Sequence, residues 1–412
     1  MSKIVLMFMW ILSVCLISTM IYMTSVCQTQ INSIEERNDI WNSRKLENCS
    51  VKQKTVHTTD TPAHNYTTYR NSSNGNSSLK LVWPEKQNLA ICKIKPKLLA
   101  GRIEMSSSVT AKDVTNAKVI TKVKYGGVYR PPDCRSSQKV AVIIPYRDRP
   151  CQLQILVNHL HNMLQRQRVF YGIYVVEMAL PVQFNRGILA NAGFLTAGSI
   201  VNYTCYIIHD VDLVPINDHN LYRCSEYGPK HMVTKNSAFR NGKLPYSGYV
   251  GGVIAFTTLQ YAKINGFSNL YFGWGGEDDD MFKRIRARNM TLQRPPDHIG
   301  VFMALKHTQD SSNPPNPHRE MLLNQAEYRI DIDGLSSINY NRKSLEFRTL
   351  YTWILIDCIE AELLEKYPFL RADSKLMSKK VKEKRHHLTV IQSKDGEIRE
   401  NRFVYPGRVQ IN

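Results

Sequence analysis

The sequence predicts an α/β fold, a Rossmann-like mixed sheet with helices on both faces, set behind a single N-terminal transmembrane helix. Three observations carry this. Short apolar runs such as Lys139–Pro145 and Tyr171–Met178 have the near-continuous hydrophobicity of strands covered on both faces. They alternate with segments of helical spacing, the pattern of a sheet sandwiched by helices. Ile4–Val26 is almost wholly apolar and long enough to cross a bilayer.

The chain has 412 residues, enough for one large domain or two smaller ones, and 43% of them are apolar. A formal net charge of +19 favours anionic partners: nucleic acid, a membrane surface or phosphorylated small molecules. No motif singles out nucleic acid, which is set aside.

In chain order, residues 1–3 form a short tail carrying Lys3, and the apolar span 4–26 follows. The run is long and no small-x-small cleavage site is evident, so an anchor is favoured over a cleaved signal peptide. Lys3 puts the C-terminal side in the lumen. Residues 27–88 are polar and rich in Asn, Ser and Thr, the composition of a flexible glycosylated stem. Sequons at Asn48, Asn65, Asn71 and Asn76 cluster there, with two more at Asn202 and Asn289. In a lumen the nine cysteines can form disulfides, although Cys15 and Cys27 lie in or beside the membrane.

The main folded domain is expected over 89–360. After the strand at Lys139–Pro145, Gln152–Arg166 puts Ile155, Leu156, His159, Leu160, Met163 and Leu164 on one helical stripe. That makes His159 and His161 ordinary helix residues rather than ligands. Tyr171–Met178 is the next strand, Asn185–Leu195 a helix, and Tyr206–His209 a third strand. Gly251–Ala255 and Met303–His307 read as strands, Thr308–Arg319 as a Pro- and Asn-rich loop and lid, and Leu350–Cys358 as the last strand. Residues 361–412 form a basic tail whose charge run, Lys379–His387, is a solvated appendage.

Ligands of such sheets bind beyond the C-terminal strand ends. Arg147 and Arg149 lie at one such end and suit phosphate or uracil oxygens. Phe184-Asn185-Arg186 adds a stacking ring and another guanidinium. Asp210 and Asp212 point the same way on an extended segment, with Val211 turned to the core. Two oxygen ligands suit Mn²⁺ or Mg²⁺, and a nitrogen from His307 favours Mn²⁺. A cation held there stabilises a diphosphate leaving group.

The stretch Tyr271–Met281 sets Trp274 among Gly273, Gly275 and Gly276, then runs through Glu277, Asp278, Asp279 and Asp280. Consecutive acids repel one another. Met281, Phe282 and Ile285 continue at helical spacing, so the acids open a helix whose dipole partly offsets that repulsion. The plain reading is an acidic helix cap. Acids beside a mobile indole fit better a site that grips a polyhydroxyl ring, with a carboxylate taking a hydroxyl proton. Together the motifs favour sugar transfer from a nucleoside diphosphate.

These residues resemble the β-1,4-galactosyltransferases and their invertebrate β-1,4-N-acetylgalactosaminyltransferase relatives. The matching blocks are Pro-Tyr-Arg-Asp-Arg at 145–149, Phe-Asn-Arg at 184–186, Asp-Val-Asp at 210–212, Asn-Asp-His-Asn at 217–220, Gly-Trp-Gly-Gly-Glu-Asp-Asp-Asp at 273–280, and His307. They run in family order from about Cys92 to Cys358. The resemblance implies a GT-A nucleotide-sugar transferase fold in a single-pass type II Golgi membrane protein, with Mn²⁺ dependence and inversion at the anomeric carbon. It implies that Asp278 is the catalytic base and that Asp212 and His307 are metal ligands. Donor contacts would come from Pro145, Tyr146, Arg147, Arg149, Phe184, Arg186, Asp210, Val211, Trp274, Glu277 and Tyr249. Acceptor contacts would come from Tyr246, Gly276, Asp279 and Arg319. It further implies disulfides Cys92–Cys134 and Cys205–Cys224, leaving Cys49, Cys151 and Cys358 as free thiols. The resemblance places Tyr249 where galactose users carry a Tyr, whose phenol fills the space an acetamido group needs, so it implies UDP-galactose as donor and a terminal N-acetylglucosamine as acceptor; UDP-N-acetylgalactosamine is the alternative donor. Two positions depart from the family pattern. Ala304 stands where vertebrate members have a Met ligand, with Met303 one residue away on the opposite face, and Glu320 stands where an aromatic is usual. They sustain a second reading, a catalytically weak, sugar-binding Golgi relative.

Overall fold

The computed structural model describes residues 67–70, 79–82, 89–103, 123–306, 313–365 and 367. The anchor, most of the stem with its four sequons, His307 and all but the first few residues of the basic tail lie outside the described residues. Among the described residues no helix is long and apolar enough to cross a membrane.

The strands in order are β1 (Thr67–Arg70), β2 (Leu79–Val82), β3 (Val128–Tyr129), β4 (Lys139–Tyr146), β5 (Phe170–Met178), β6 (Cys205–His209), β7 (Leu213–Pro215), β8 (Lys230–His231), β9 (Lys235–Asn236), β10 (Val253–Thr257), β11 (Val301–Ala304), β12 (Asn341–Phe347) and β13 (Thr352–Asp357). The helices are α1 (Pro150–Arg166), α2 (Arg186–Ile200), α3 (Thr258–Lys263), α4 (Glu277–Ala287), α5 (Arg319–Asn324), α6 (Ala326–Arg329) and α7 (Glu360–Glu365). The main sheet has the order β12-β13-β5-β4-β6-β10-β8, with β3 alongside β5. Strands β13, β5, β4 and β6 are parallel, and β12, β10, β8 and β3 join antiparallel, so the sheet is mixed. A smaller sheet has the order β7-β11-β9.

The central strand β4 explains the layers. Val140, Val142 and Ile144 pack with Leu153, Leu156 and Leu160 of α1 on one face. Ala141 and Ile143 pack with Ile188, Leu189 and Ala192 of α2 on the other. Both faces are covered, which is why the strand is apolar nearly throughout. Each buried Val, Leu or Ile among them stabilises the fold by roughly 1.5–3 kcal/mol. Helix α2 lies so close to the sheet that a Cβ on Gly193 would sit 2.5 Å from Ile143 Cγ2.

The structure moves several expected boundaries. The helix expected over 185–195 is capped by the Asn185 side chain and continues to Ile200. The strand expected from Gly251 begins at Val253, because Gly252 adopts a φ of +91°. Strand β12 had no signature, being a mostly polar edge strand. Inside the stretch expected to be a flexible stem, β1 and β2 pair antiparallel; Thr and Tyr in the first and Leu and Val in the second suit a pleated ribbon.

Both implied disulfides form, with Cα separations of 5.0 Å for Cys92–Cys134 and 5.6 Å for Cys205–Cys224. Cys358 is a buried free thiol, as expected. Cys151, expected to be free, is disulfide-bonded instead; it stands in the first turn of α1, half-buried rather than sealed in the core. The two helix histidines are structural. His159 Nε2 donates to Pro215 O at 2.7 Å, and His161 Nε2 donates to Leu350 O at 2.7 Å. Burial pushes both imidazoles down to about 4, so they stay neutral.

Candidate active site

Strand β4 ends at Pro145-Tyr146 and its parallel neighbour β6 at His209. Strand β10 runs antiparallel with Val253 opposite His209, so the segment before it arrives at the same edge. The Asp210 N–H donates to Gly252 O at 2.9 Å and fixes the two together.

At this edge Arg186 organises the acids. The Asn185 cap starts α2 one residue earlier, which delivers a guanidinium that is only 8% exposed. Its Nε lies 2.7 Å from Asp210 Oδ1 and its Nη1 2.8 Å from Asp278 Oδ1. The strand-end motif and the acidic helix therefore share one cleft. Burial raises the pKa of Asp210, Glu277 and Asp278 above the ordinary carboxylate range, and neighbouring carboxylates raise them further; Arg186 opposes this for each. Nη2 of Arg186 is buried and has no hydrogen-bond partner among the described residues.

The four-acid run does not act as one group. Gly276 caps α4 with a φ of +101°, and a Cβ there would meet the Tyr271 ring at 2.7 Å. The turn sends Asp280 inward, fully buried, where it accepts from Tyr271 Oη at 3.0 Å, Arg284 Nε at 2.5 Å and Arg329 Nη2 at 2.8 Å. Asp280, to which the resemblance gives no site role, belongs to the core. The signal was present as an i,i+4 spacing to Arg284. Trp274 is 62% exposed. Its backbone N–H donates to Pro314 O at 2.8 Å and its backbone carbonyl accepts from Asn316 N at 2.9 Å. Arg319 packs against Gly275 and Gly276, and Glu320 beside it is exposed.

Tyr246 donates to Asp279 Oδ1 at 2.6 Å, and its ring meets Tyr249 edge-on at 5.7 Å. Tyr249 also lies edge-on to Phe239 at 5.3 Å. Gly251 is a residue that sequence reasoning missed; its signal was the Gly-Gly pair soon after Tyr249. A Cβ on Gly251 would lie 2.4 Å from the Tyr249 hydroxyl and 2.6 Å from Asp278 Oδ2. Gly251→Ala is therefore expected to lower kcat/KM on the order of 10²-fold, the cost of a misplacement of about 1 Å. Steady-state kinetics beside a melting curve would check it, and wild-type kinetics would sink it.

On the other side, Arg147 lies 5.3 Å over the Phe184 ring and donates from Nη1 to Val182 O at 3.0 Å. The Phe184 carbonyl accepts from Gly273 N at 2.9 Å. The Arg149 N–H donates to Tyr146 Oη at 3.1 Å, and Val211 packs on the core beneath. The Asp212 carbonyl accepts from Leu305 N at 2.7 Å, and Ala304 of β11 pairs with Leu213. The chain thus passes beside Asp212 two residues before position 307. Met303 is buried in the core cluster and cannot stand in for the ligand missing at Ala304. Among the described residues no group of three or more His, Cys, Asp or Glu could hold a metal ion. Asp212 is the one described member of the expected ligand pair.

Comparison with known proteins agrees with this geometry. Residues 92–225 match the N-terminal region of glycosyl transferase group 7, and residues 230–308 match the N-terminal domain of galactosyltransferase. Acids gathered at the strand ends of a mixed sheet, within these matches, define the class as glycosyltransferase. β-1,4-Galactosyltransferase 3 of Bos taurus is 42% identical over 274 residues, covering 66% of this chain and 69% of that protein. β-1,4-Galactosyltransferase 4 of Homo sapiens is 47% identical over 232 residues, covering 56% and 67%. The chain belongs to the β-1,4-galactosyltransferase family. Among solved structures, a mutant Drosophila β-1,4-galactosyltransferase 7 in complex with manganese, UDP-Gal and xylobiose is 30% identical, covering 56% of this chain and 98% of that one, with a TM-score of 0.48.

Proposed function

We propose that this chain is an inverting β-1,4-galactosyltransferase with a GT-A fold that moves galactose from UDP-galactose to the 4-hydroxyl of a terminal N-acetylglucosamine on glycoprotein or glycolipid glycans. The observation that carries this is the Arg186 bridge, which joins Asp210 and Asp278 across one cleft. Asp278 takes the proton from the acceptor hydroxyl. Its raised pKa brings its basicity towards neutral pH, and Arg186 opposes that rise and so favours the ionised form. The unpartnered Nη2 of Arg186 is available to a donor oxygen. Pro145, Tyr146, Arg147, Arg149, Phe184 and Val211 form the nucleotide side, with Glu277 and Tyr249 against the transferred sugar. Trp274 covers a ring, and Tyr246, Gly276, Asp279 and Arg319 receive the acceptor. Asp212 and His307 would hold Mn²⁺, which when bound neutralises the departing diphosphate. One base and one in-line displacement give inversion.

The same reading makes 4–26 the signal-anchor of a type II Golgi membrane protein, 27–88 its stem and 89–360 its luminal catalytic domain. Asn202 and Asn289 are exposed, as glycan acceptors require. The test is a donor panel against a fixed N-acetylglucosamine acceptor, with and without Mn²⁺. Transfer from UDP-galactose only with metal is expected; no transfer from either donor, with glycan still bound, would overturn the proposal.

Tyr249 crowds the sugar side of Asp278, so UDP-galactose is preferred over UDP-N-acetylgalactosamine on steric grounds. Tyr249→Leu is expected to raise the relative kcat/KM for UDP-N-acetylgalactosamine about tenfold or more. An unchanged donor ratio would remove the steric account.

A further inference from the structure

We propose that Arg294 and His231 clamp the Tyr246–Gly251 turn against Asp278, making Arg294 a positioning residue that sets donor discrimination. This rests on the function proposed above. Arg294 belongs to no motif the sequence singled out. It follows α4 in a segment docked on β8: Gln293 N donates to Pro229 O at 2.8 Å, and His231 N donates to Gln293 O at 2.9 Å. Pro295 and Pro296 follow and restrict the backbone.

From there its guanidinium reaches three acceptors. Nη2 donates to Ser247 O and to Tyr249 O, each at 2.8 Å, and Nε donates to His231 Nδ1 at 3.2 Å. The His231 ring is fully buried and its Nε2 donates to Gly251 O at 2.9 Å. That bond fixes the tautomer, because a carbonyl only accepts, so Nδ1 is left as the acceptor Arg294 requires. Burial, with Arg294 beside it, pushes the imidazole down to about 3, so the ring remains neutral. The ring also meets Tyr249 edge-on at 6.0 Å.

One fork and one ring thus hold the carbonyls of Ser247, Tyr249 and Gly251. These are the residues whose placement brings the Tyr249 hydroxyl and Asp278 Oδ2 to the same point. A lysine ammonium is a point charge on a flexible stem and cannot reproduce a planar fork. Loosening the clamp lets Tyr249 retreat and opens room for an acetamido group.

The test is Arg294→Lys in the full chain, alone and combined with Tyr249→Leu. The single variant is expected to lower the ratio of kcat/KM for UDP-galactose to that for UDP-N-acetylgalactosamine about tenfold, with the change in KM exceeding that in kcat. In the Tyr249→Leu background the ratio should not move further, because both changes act through one ring. A purely structural role would lower Tm and leave the ratio alone, and an unmoved ratio overturns the specificity role. Independently of activity, the ¹H–¹⁵N spectrum of His231 should report the Nε2-protonated tautomer in the wild type and a shifted Nδ1 in Arg294→Lys. An unmoved Nδ1 resonance overturns the clamp. Should the wild type transfer from neither donor, the function proposal falls, and that resonance still decides the clamp.

Discussion

Asp278→Asn is expected to lower kcat by about 10²–10⁴-fold, the usual contribution of a general base, with donor affinity close to wild type. The amide keeps the shape of the side chain and can still accept from Arg186 Nη1, which lies 2.8 Å from Asp278 Oδ1. The cleft therefore survives, and only the proton acceptor is lost. Single-turnover rates with saturating donor, beside a separate measurement of donor binding, separate the two effects. The pH profile carries a second signature. Burial raises the Asp278 pKa, so the wild-type rate should fall on the acid side at a higher pH than an ordinary carboxylate would give. The base works only when deprotonated, so the sign is loss of activity as pH falls through that pKa. In Asp278→Asn this limb should vanish. Wild-type turnover in the variant would remove Asp278 from the base role.

Two residues along, Asp280→Asn is expected to do the opposite, destabilising the fold by about 3–5 kcal/mol, as expected when one partner of a buried ion pair is removed. The carboxylate is fully buried and pairs with both Arg284 and Arg329. Without it, the two guanidiniums share only Asp333, which already accepts from Ser268 and Asn269. Thermal unfolding should shift down on the order of 10 °C. A variant with unchanged melting and lost turnover would put Asp280 back into the cleft. Neighbouring acids with opposite phenotypes are a sharp test, since a generic acidic surface would give neither.

The contrast between Asp278 and Asp280 marks the limit of what spacing conveys. Helical periodicity announced that α4 would bury Met281 and Ile285 and that acids would open it. Which acid turned inward depended on Gly276 and on Arg329, which lies 49 residues from Asp280 in sequence. Strand β4 was legible because both its faces are apolar, whereas β12 was not, because an exposed edge strand carries no apolar signature. Cys151 was misread because its partner is set by the path of the chain, not by spacing.

By itself the sequence determined the alternation of strands and helices, the acids at the strand ends and, through the motifs that carry the family resemblance, the disulfides Cys92–Cys134 and Cys205–Cys224. These are local or motif-borne properties: burial of a face imposes a period of two or about 3.6, and a resemblance travels in short blocks. Only the tertiary structure decided that Arg186 would join acids 24 and 92 residues away, that Gly251 must lack a side chain, and that Arg294 would hold the tyrosine turn. Those contacts depend on how β10 and the segment after α4 return to the same sheet edge, and a local period holds no record of where a distant segment lands.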